Sequence, residues 1–493
     1  MLPYKSLIQV DRKAAVTLYI QVCNQFIALI TNGTMRPSDA LPSSRVLSEL
    51  IGINRHTVRL AYEELISQGW AESIERKGIF VLSKLPILSK NKLPESNRDA
   101  RPNEAFAWTN RFKGAAPGES LQRSGLAIDD GFPDVRLAPV DQLMREYRSI
   151  SRRHYGKNFL KYGSTKGSEH LRASISGYLS QTRGLVVSTE NMLITKGSQM
   201  GIYLASQLLL EPSDHIAVGM SNYKTADETF RHAGASLLRI PVDHNGMDVD
   251  YLEKALVSTK IKAVYIIPHH HCPTTVTMSV ERRLKLLDLA KAHRFAIIED
   301  DYDFDFHYDN KPYLPLASID HNQNVIYIGS ISKTFAPALR VGFMTGPPTF
   351  IEAAASLRLL IDRQGDTLLE EAFAVMYDTG EMERHFRKSL RIYKQRRNLF
   401  CQILQSDFND VLDFKVPEGG LAVWTNFVAE IDLVKLSVDA FKNGLYVGNG
   451  SFGRNESFST NAMRLGFASL EEKEMVEALS LLKKTVQQPH STH

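Results

Sequence analysis

Short runs of valine and isoleucine alternate with helical sequence along most of this chain, and this alternation constrains its fold more than any other feature. Examples are Ile216–Val218, Ala263–Ile267, Ala296–Ile298 and Val325–Ile328. Short apolar strands separated by helices predict a mostly parallel β-sheet that helices cover on both faces. The pattern runs from about residue 126 to about Lys484. We therefore expect an α/β domain over this range.

Length, composition and cysteine usage limit the class of protein. At 493 residues the chain is too long for one ordinary domain. No apolar run approaches the length of a membrane span, and the N-terminus lacks the apolar stretch of a signal peptide. The three cysteines, Cys23, Cys272 and Cys401, are far apart and odd in number. These features predict a reduced, cytoplasmic protein without structural disulfides.

A basic stretch with prolines divides the chain. Residues 84–125 contain Pro86, Pro94, Pro102 and Pro117 and little apolar periodicity, which is typical of a linker. The formal net charge of +4 is concentrated in and before this stretch, which is compatible with a nucleic-acid partner. The predicted organisation has four parts: an N-terminal domain at 1–83, a basic linker at 84–125, a large domain at 126–487 and a disordered tail at 488–493.

The N-terminal domain shows two short helices around a glycine. After a helix over Leu18–Thr31, either Ser43 or Ser44 is placed to cap a helix, and Gly52 supplies the turn that follows. Asn54 is placed to cap the second helix. We expect the first helix of this pair to bury Val46, Leu47 and Leu50, and the second to bury Val58, Ala61, Tyr62 and Leu65. Arg55, His56 and Arg59 then face outward, as in a helix-turn-helix.

The segment after Gly69 predicts a two-stranded wing over residues 70–81 with Arg76-Lys77-Gly78 at its tip. With this wing, residues 13–83 resemble the winged helix-turn-helix of GntR-type bacterial repressors, on the motifs Leu-Pro-Ser-Ser-Arg at 41–45 and Asn-Arg-x-Thr-Val at 54–58. The resemblance implies DNA contacts by Arg45, Arg55, Thr57, Arg59 and Lys77. The alternative is a small protein-interaction module with a solvated basic face.

Two segments of the large domain favour binding of a phosphate and an aromatic ring. Gly197, Ser198 and Gln199 follow a short strand and open a helix over Met200–Leu210, so their backbone amides would cradle a phosphate. Tyr223 follows a later strand, where its ring could stack on a flat ligand. The alternatives are an ordinary glycine-serine helix cap, which is common, and a tyrosine that packs in the core without binding a ligand.

Carboxylates end a buried strand at Ile297-Ile298-Glu299-Asp300-Asp301-Tyr302. Ligands bind at the carboxyl ends of strands in open α/β sheets. There the Asp300 carboxylate and the Tyr302 hydroxyl are suited to bind polar atoms of a ligand.

A lysine between hydroxyl residues and an arginine is a further candidate for ligand binding in the large domain. The stretch from Gly329 to Gly342 contains Ser330, Lys333 and Arg340. A lysine that forms a Schiff base with an aldehyde cofactor needs partial desolvation and a nearby phosphate site, and arginine suits phosphate. An ordinary exposed lysine is the alternative. Arg464, inside the apolar strand at 462–467, predicts a clamp for a ligand carboxylate or a buried structural ion pair.

Together these segments resemble fold-type-I aminotransferases, which use pyridoxal 5'-phosphate (PLP), and the whole chain resembles the MocR subfamily of GntR regulators. The match includes Gly131-Phe132-Pro133-Asp134, Tyr162-Gly163 and Glu281-Arg282-Arg283-Leu284. The resemblance implies a Schiff base at Lys333, Asp300 on the ring nitrogen, Tyr302 on the 3'-oxygen and Arg464 on a ligand carboxylate. It also implies stacking by Tyr223, phosphate contacts from Ser198, Ser330 and Arg340, and a homodimer in which Tyr162 reaches the phosphate of the neighbouring subunit.

Departures from the subfamily pattern cluster around the ligand. The chain has His269-His270-His271-Cys272-Pro273-Thr274-Thr275 where the subfamily usually reads His-Gln-x-Pro-Thr-Gly after a proline and one variable residue. We expect no metal there, because adjacent residues on a strand point to opposite faces. Asp227 replaces the basic residue that often follows the stacking tyrosine, which puts recognition of a typical ligand in doubt.

The sequence predicts a PLP-dependent, DNA-binding transcription regulator that responds to PLP and to an amine or amino-acid effector forming an external aldimine at Lys333. The rival prediction is an active aminotransferase with an accessory DNA-binding head. The catalytic parts favour the rival, whereas the complete winged helix, which transamination does not need, favours the regulator.

Overall fold

The computed structural model describes residues 2–83, 125–308, 313–320, 323–331, 333–455 and 458–487. Contacts within the chain separate two compact units, Met1–Gly114 and Ala115–His493. The predicted linker at 84–125 and tail at 488–493 lie, apart from residue 125, outside the described residues, so the four-part division stays a prediction. Among the described helices, none combines the length and apolar character that crossing a membrane requires.

The N-terminal unit is a small helical domain with a hairpin. Its elements are α1 (Tyr4–Leu7), α2 (Leu18–Thr31), α3 (Ser44–Ile51), α4 (Arg55–Ser67), β1 (Ala71–Ile74) and β2 (Gly78–Val81). Strands β1 and β2 pair antiparallel, as expected of the wing. The Ser43 hydroxyl caps α3 by accepting from the Val46 amide at 3.3 Å, and the Asn54 side chain caps α4. Gly52 has φ +66° between the two helices, which forms the predicted turn.

Burial in the core of this unit agrees with the prediction for α4 and differs from the prediction for α3. Val58, Ala61, Tyr62 and Leu65 are all buried, as predicted for α4. On α3 only Leu47 is buried, whereas Val46 is 40% and Leu50 37% exposed. The expectation that α3 buries all three was wrong for Val46 and Leu50. The core also takes in two residues before the predicted helices, since Tyr4 and Ile8 are buried; the ring of Tyr4 lies 6.2 Å from that of Phe26.

The second unit is built on a large sheet and several small ones. Its strands are β3 (Leu126–Ile128), β4 (Met192–Thr195), β5 (His215–Gly219), β6 (Ser236–Ile240), β7 (Val242–Asp243), β8 (Gly246–Met247), β9 (Ile261–Ile266), β10 (Ala296–Asp301), β11 (Val325–Ser330), β12 (Gly342–Thr345), β13 (Leu412–Phe414), β14 (Ala422–Phe427), β15 (Leu445–Val447), β16 (Arg454–Asn455), β17 (Phe458–Ser459) and β18 (Ala462–Gly466).

Helices surround these strands. They are α5 (Val140–Arg152), α6 (Glu169–Arg183), α7 (Ser198–Leu209), α8 (Lys224–His232), α9 (Val249–Leu256), α10 (Val280–His293), α11 (Leu316–Ile319), α12 (Pro348–Ile361), α13 (Thr367–Asp378), α14 (Glu381–Asp407), α15 (Leu433–Lys442) and α16 (Glu472–Gln487). The predicted helix at Met200–Leu210 therefore begins two residues earlier, at Ser198.

The large sheet has seven strands in the order β4-β12-β11-β10-β9-β5-β6. The pairs β11-β10, β10-β9, β9-β5 and β5-β6 are parallel, and β12 runs antiparallel to both of its neighbours. The four strands predicted from valine and isoleucine runs coincide with β5, β9, β10 and β11. The predicted α/β class with a mostly parallel sheet is confirmed.

Alternate residues of the sheet pack into hydrophobic cores on its opposite faces. On β11, Ile326 and Ile328 pack with the core that includes residues of α7 and α12. Val325 and Tyr327 point the other way and join cores that include residues of α6, α10 and α13. This alternation is what burial of a strand on both faces requires. A separate antiparallel sheet, β13-β14-β18, packs with α14, α15 and α16 and carries Arg464.

Candidate cofactor site

The carboxyl ends of neighbouring strands gather the predicted residues of the large unit. In the sheet register Asp300 on β10 lies beside Ile328 on β11, and Ser330 at the end of β11 lies beside Gly342 on β12. Gly342 in turn pairs with Thr195 at the end of β4, next to the start of α7. The strand order thus brings Asp300, Ser330 and the start of α7 to one edge.

Lys333 follows β11 in a turn and is half-buried. Its Nζ lies 4.1 Å from the centroid of the Phe132 ring, a cation–π distance. Burial lowers the pKa of Lys333, and the positive charge of Arg464 lowers it further. A lysine with a lowered pKa holds more of its neutral, nucleophilic amine at neutral pH. This is the state that attack on an aldehyde needs.

Asp300 is buried and has one satisfied and one unsatisfied oxygen. The Tyr265 hydroxyl donates to Asp300 Oδ2 at 2.8 Å, whereas Asp300 Oδ1 has no hydrogen-bond partner among the described residues. Burial raises the pKa of Asp300 to about 7, against the lowering effect of the Tyr265 hydrogen bond. An unpaired buried carboxylate oxygen costs free energy unless a donor meets it. The protonated nitrogen of a pyridine ring is such a donor.

The neighbouring carboxylates of β10 have other partners. Glu299 accepts from the amides of Leu316 and Ala317, at the start of α11, at 2.8 and 2.9 Å. Asp301 accepts from the Tyr327 hydroxyl at 2.7 Å. Asp301 Oδ1 also has no hydrogen-bond partner among the described residues, but strand alternation places Asp301 on the face opposite to Asp300. The prediction therefore assigns the ring nitrogen to Asp300 by its face of the strand.

Arg340 lies beside the start of α7, an arrangement that would suit an anion. Arg340 donates to the Lys196 carbonyl at 2.9 Å. A Cβ atom on Gly197 would lie only 2.6 Å from Arg340 Nη2, so the glycine is what lets the guanidinium approach the helix start. The amides of the first turn of α7, which begins at Ser198, have no partner within the helix and favour a phosphate. The Gln199 side chain instead donates to Thr229 at 2.8 Å, so its contribution to the cradle would come from its backbone.

Tyr223 and Tyr302 flank the same region. Tyr223 precedes α8 and packs against the core that contains Ile267 and Ile298; burial raises its pKa, and Asp300 and Arg340 both act on it electrostatically. The Tyr302 hydroxyl donates to the His270 carbonyl at 3.0 Å. A 3'-oxygen would therefore compete with that carbonyl for the hydroxyl proton.

Arg464 is buried on β18, and the partners that the structure gives it are neutral. Its Nε donates to the Asp130 carbonyl at 2.8 Å, its Nη1 to the Pro273 carbonyl at 3.0 Å, and its Nη2 lies 3.3 Å from the Tyr302 hydroxyl. These contacts hold the guanidinium in place, and no carboxylate of the described residues bonds to it. The arrangement suits the predicted clamp for a ligand carboxylate better than the structural ion pair.

The histidine and cysteine run is a loop after β9 rather than a strand, so the reason given for excluding a metal there was wrong. Each imidazole has its own partner: His269 contacts the Tyr313 carbonyl, His270 contacts Asp303 and His271 contacts Thr274. Within the described residues, no group of three histidine, cysteine, aspartate or glutamate side chains could hold a metal ion.

Asp227 is bonded to two side chains of the large unit. Its two oxygens accept from Asn222 at 2.7 Å and from Arg239 at 2.6 Å, and the side chain is buried. The predicted charge reversal at the ligand is therefore a structural ion pair. Tyr162 lies far out on the surface, with 79% of its area exposed and its ring 4.1 Å from the Arg363 guanidinium.

The basic residues predicted for DNA lie on the surface of the N-terminal unit. Arg45 and Arg59 are exposed and make only loose pairs with Glu49 and Glu63, at 3.3 and 3.5 Å. Arg55, beside Ser44, is exposed at the start of α4. Lys77 is exposed at the tip of the wing, and Thr57 is half-buried on α4. Four cations thus face solvent from α3, α4 and the wing.

Three contributors were not predicted from the sequence. Phe132 contacts Lys333, the Pro273 carbonyl holds Arg464, and Tyr265 holds Asp300. For Tyr265 a signal was present, because a tyrosine within a buried strand needs a partner for its hydroxyl. The carbonyl of Pro273 could not be found this way, since every residue carries one.

The assembled groups fit PLP. Lys333 offers an amine of lowered pKa, Asp300 offers an unpaired oxygen suited to a ring nitrogen, and Gly197 leaves room for Arg340 at a helix start suited to the phosphate.

Comparison with known proteins gives the same two parts. The family model "Aminotransferase class I and II" matches residues 132–482, and the model "Bacterial regulatory proteins, gntR family" matches residues 18–81. The HTH-type transcriptional regulator YdfD of Bacillus subtilis is 28% identical over 92% of this chain and 93% of its own. The probable rhizopine catabolism regulatory protein MocR of Rhizobium meliloti is 24% identical over 96% of this chain and 94% of its own.

Among solved structures, the kynurenine aminotransferase of Pyrococcus horikoshii superposes with a TM-score of 0.68 at 28% identity, over 75% of this chain and 92% of its own. The uncovered quarter is about the size of the N-terminal unit with the segment that follows it. The chain therefore belongs to the aminotransferase class I and II family and carries a GntR-type helix-turn-helix domain in front of that fold, the arrangement of the MocR subfamily.

Proposed function

We propose that this protein is a DNA-binding transcription regulator that holds PLP at Lys333 and acts as a homodimer in the cytoplasm. The observation that carries the proposal is that one chain combines an exposed cationic winged helix with a buried site where Asp300 Oδ1 lacks a partner among the described residues. Two proteins named as regulators, YdfD and MocR, align with more than nine-tenths of this chain and support the regulatory function.

In the pocket each residue has a separate task. Lys333, whose pKa is lowered by burial, supplies the amine that binds the cofactor, and Asp300 holds the ring nitrogen. The start of α7 with Arg340 holds the phosphate, helped by the Ser198 and Ser330 hydroxyls. Bound PLP supplies an aldehyde carbon that exchanges amines and a ring that withdraws electrons.

An amine or amino-acid effector fits the remaining charge of the site. Within the described part of the chain Arg464 has no bonded carboxylate, and two backbone carbonyls already fix its orientation. An effector carboxylate would therefore meet a guanidinium that loses little freedom on binding. For the effector to change DNA binding, its affinity must differ between two arrangements of the regulator.

DNA binding by the head would rest on Arg45, Arg55, Thr57, Arg59 and Lys77, as in other helix-turn-helix domains. Because the net charge of residues 1–83 is only weakly positive, non-specific affinity should be modest, and two heads per operator are needed for tight binding. The exposed Tyr162 would then reach the phosphate site of the second copy.

The test is binding of the purified full chain to the DNA upstream of its own gene, with and without PLP. Wild type should bind this DNA specifically, and PLP should shift the apparent Kd. Lys333→Ala should bind the same DNA but lose the shift, whereas the exposed Lys388→Ala on α14 should keep it. Arg55→Ala should weaken DNA binding with and without PLP. Absence of specific DNA binding by wild type in both states would refute the regulator.

A working aminotransferase is the second candidate, because the lysine of lowered pKa, the buried Asp300 and the arginine clamp are the parts that transamination uses. Its test is conversion of PLP to pyridoxamine phosphate when the loaded protein is mixed with a panel of amino acids. Conversion within minutes, without specific DNA binding, would favour the enzyme.

A further inference from the structure

The geometry points to Tyr265 as a positioning residue for the cofactor: its hydroxyl orients Asp300 and favours its ionised form, and so sets how tightly the site holds the ring nitrogen. This inference rests on the proposed function, since it assumes that PLP is the ligand. It concerns a residue that touches Asp300 and would act on the cofactor through it.

The orientation follows from the contacts of Tyr265. The residue lies on β9 next to Ile298 of β10, and no part of it is exposed. Its ring packs against the Phe230 ring with centroids 5.3 Å apart, and its hydroxyl donates to Asp300 Oδ2 at 2.8 Å. A carboxylate held by one oxygen from a fixed donor has few orientations left. Asp300 Oδ1 is consequently presented in one position, and it has no partner in the described part of the chain.

The ionisation of Asp300 depends on the hydrogen bond that it accepts from Tyr265. A hydroxyl that donates to a carboxylate stabilises the ionised form, and burial opposes it. The Tyr265 hydrogen bond accordingly lowers the pKa of Asp300, which burial raises to about 7. The other titratable groups that act on Asp300 or face it are Tyr223, Cys272, Asp301, Tyr302, Asp303 and Lys333. Tyr265 is the one that bonds to the carboxylate directly.

The chain offers a matched control on the neighbouring strand. Tyr327 on β11 is also fully buried, and its hydroxyl donates to Asp301 Oδ2 at 2.7 Å. Tyr265→Phe and Tyr327→Phe therefore remove the same chemical contact from adjacent carboxylates of β10. Only the first of these carboxylates is the predicted partner of the ring nitrogen.

The experiment measures PLP binding by fluorescence titration from pH 6 to 9 in a Lys333→Ala background, which removes the covalent step and the titration of the lysine amine. Tyr265→Phe should raise the Kd about tenfold at the acidic end of this range, because losing the hydroxyl favours the protonated form of Asp300, which cannot pair with a protonated ring nitrogen. Tyr327→Phe should stay within about threefold of the background protein.

The pH profile separates positioning from packing. The bound state pairs an ionised Asp300 with a protonated ring nitrogen, so affinity falls when the pH drops below the pKa of Asp300 in the free protein. Losing the Tyr265 hydroxyl raises that pKa, and the fall should begin at higher pH in Tyr265→Phe alone. In an Asp300→Asn background, Tyr265→Phe should cause no further loss, because its effect passes through Asp300.

Equal affinities and superimposable pH profiles for Tyr265→Phe and its background would overturn the inference, as would a loss that persists in Asp300→Asn. If Tyr265→Phe fails to fold, a fluorinated tyrosine at position 265 replaces it, because this residue keeps the shape of tyrosine and its hydroxyl donates more strongly to Asp300. The fall in PLP affinity should then begin at lower pH. An unchanged pH profile would overturn the inference. Failure of the Lys333-containing wild type to take up PLP would instead refute the proposed function, and this inference with it.

Discussion

Gly197→Ala tests whether the start of α7 is the phosphate site. Gly197 has φ +77° and ψ 174°, a combination that is almost restricted to glycine. The added Cβ would lie 2.6 Å from Arg340 Nη2 and 2.9 Å from its Cζ. The substitution therefore strains the backbone and displaces the guanidinium in one step.

The two effects have separate magnitudes. Holding a non-glycine residue in this region of the backbone map costs about 1–3 kcal/mol of folding free energy. The displaced Arg340 also gives up its 2.9 Å bond to the Lys196 carbonyl. For the cofactor, losing a charge-assisted bond to the phosphate costs about 1.5–3 kcal/mol. At about 1.4 kcal/mol per factor of ten, PLP affinity should fall about 10- to 150-fold.

Two measurements on the full chain separate these effects. Thermal unfolding of the cofactor-free protein reports the backbone strain, and a PLP titration reports the loss at the phosphate site. Gly444→Ala is the matched control, because Gly444 also has positive φ, at +83°, but nothing lies within 4 Å of its added Cβ. Gly444→Ala should lose stability and keep its PLP affinity.

Full PLP affinity in Gly197→Ala, with a stability loss equal to that of Gly444→Ala, would refute the assignment. Such a result would mean that Arg340 moves aside without consequence for the cofactor, so the phosphate would have to lie elsewhere.

Three further predictions concern stability. Burial raises the pKa of Asp300 from 3.8 to about 7, so the stability that its protonation contributes is fully present below pH 3.8 and is lost as the pH rises through 7; cofactor-free wild type should lose thermal stability from about pH 4 to about pH 7, with a shallower slope in Asp300→Asn. Arg239→Met leaves the buried Asp227 carboxylate without its cation and should cost about 3–5 kcal/mol in urea unfolding. By calorimetry of the full chain, Leu47→Ala should cost about 2–5 kcal/mol, whereas the exposed Leu50→Ala should cost at most about 0.5 kcal/mol.

The sheet could be predicted because its strands are buried on both faces. Such strands must be apolar throughout, so valine and isoleucine runs mark β5, β9, β10 and β11 without any knowledge of their neighbours. The caps of α3 and α4 were equally local, since Ser43 and Asn54 bind amides two or three residues away.

The core of α3 was not predictable in the same way. At 100° per residue, Val46, Leu47 and Leu50 lie within an arc of about 100°. The sequence therefore shows an apolar side but not which edge of that side meets another helix. The helix meets its neighbours at the Leu47 edge, and Val46 and Leu50 stay 40% and 37% exposed. The width of a contact between two short helices depends on how they cross, which the sequence of one helix does not contain.

The carboxylates of β10 show the same limit at the site itself. Strand alternation places Asp300 on the face opposite to Glu299 and Asp301, and this much follows from the sequence. Which oxygens stay unpaired depends on other elements: α11 takes up Glu299, Tyr327 binds one oxygen of Asp301, and Tyr265 binds one oxygen of Asp300. Among the described residues this leaves Oδ1 of both aspartates unpaired, on opposite faces of the strand. A site defined by a missing partner can be recognised only when all the neighbours are known. The residue types predicted that a carboxylate would bind a ring nitrogen. The register of three strands determines which carboxylate oxygen is available for that bond.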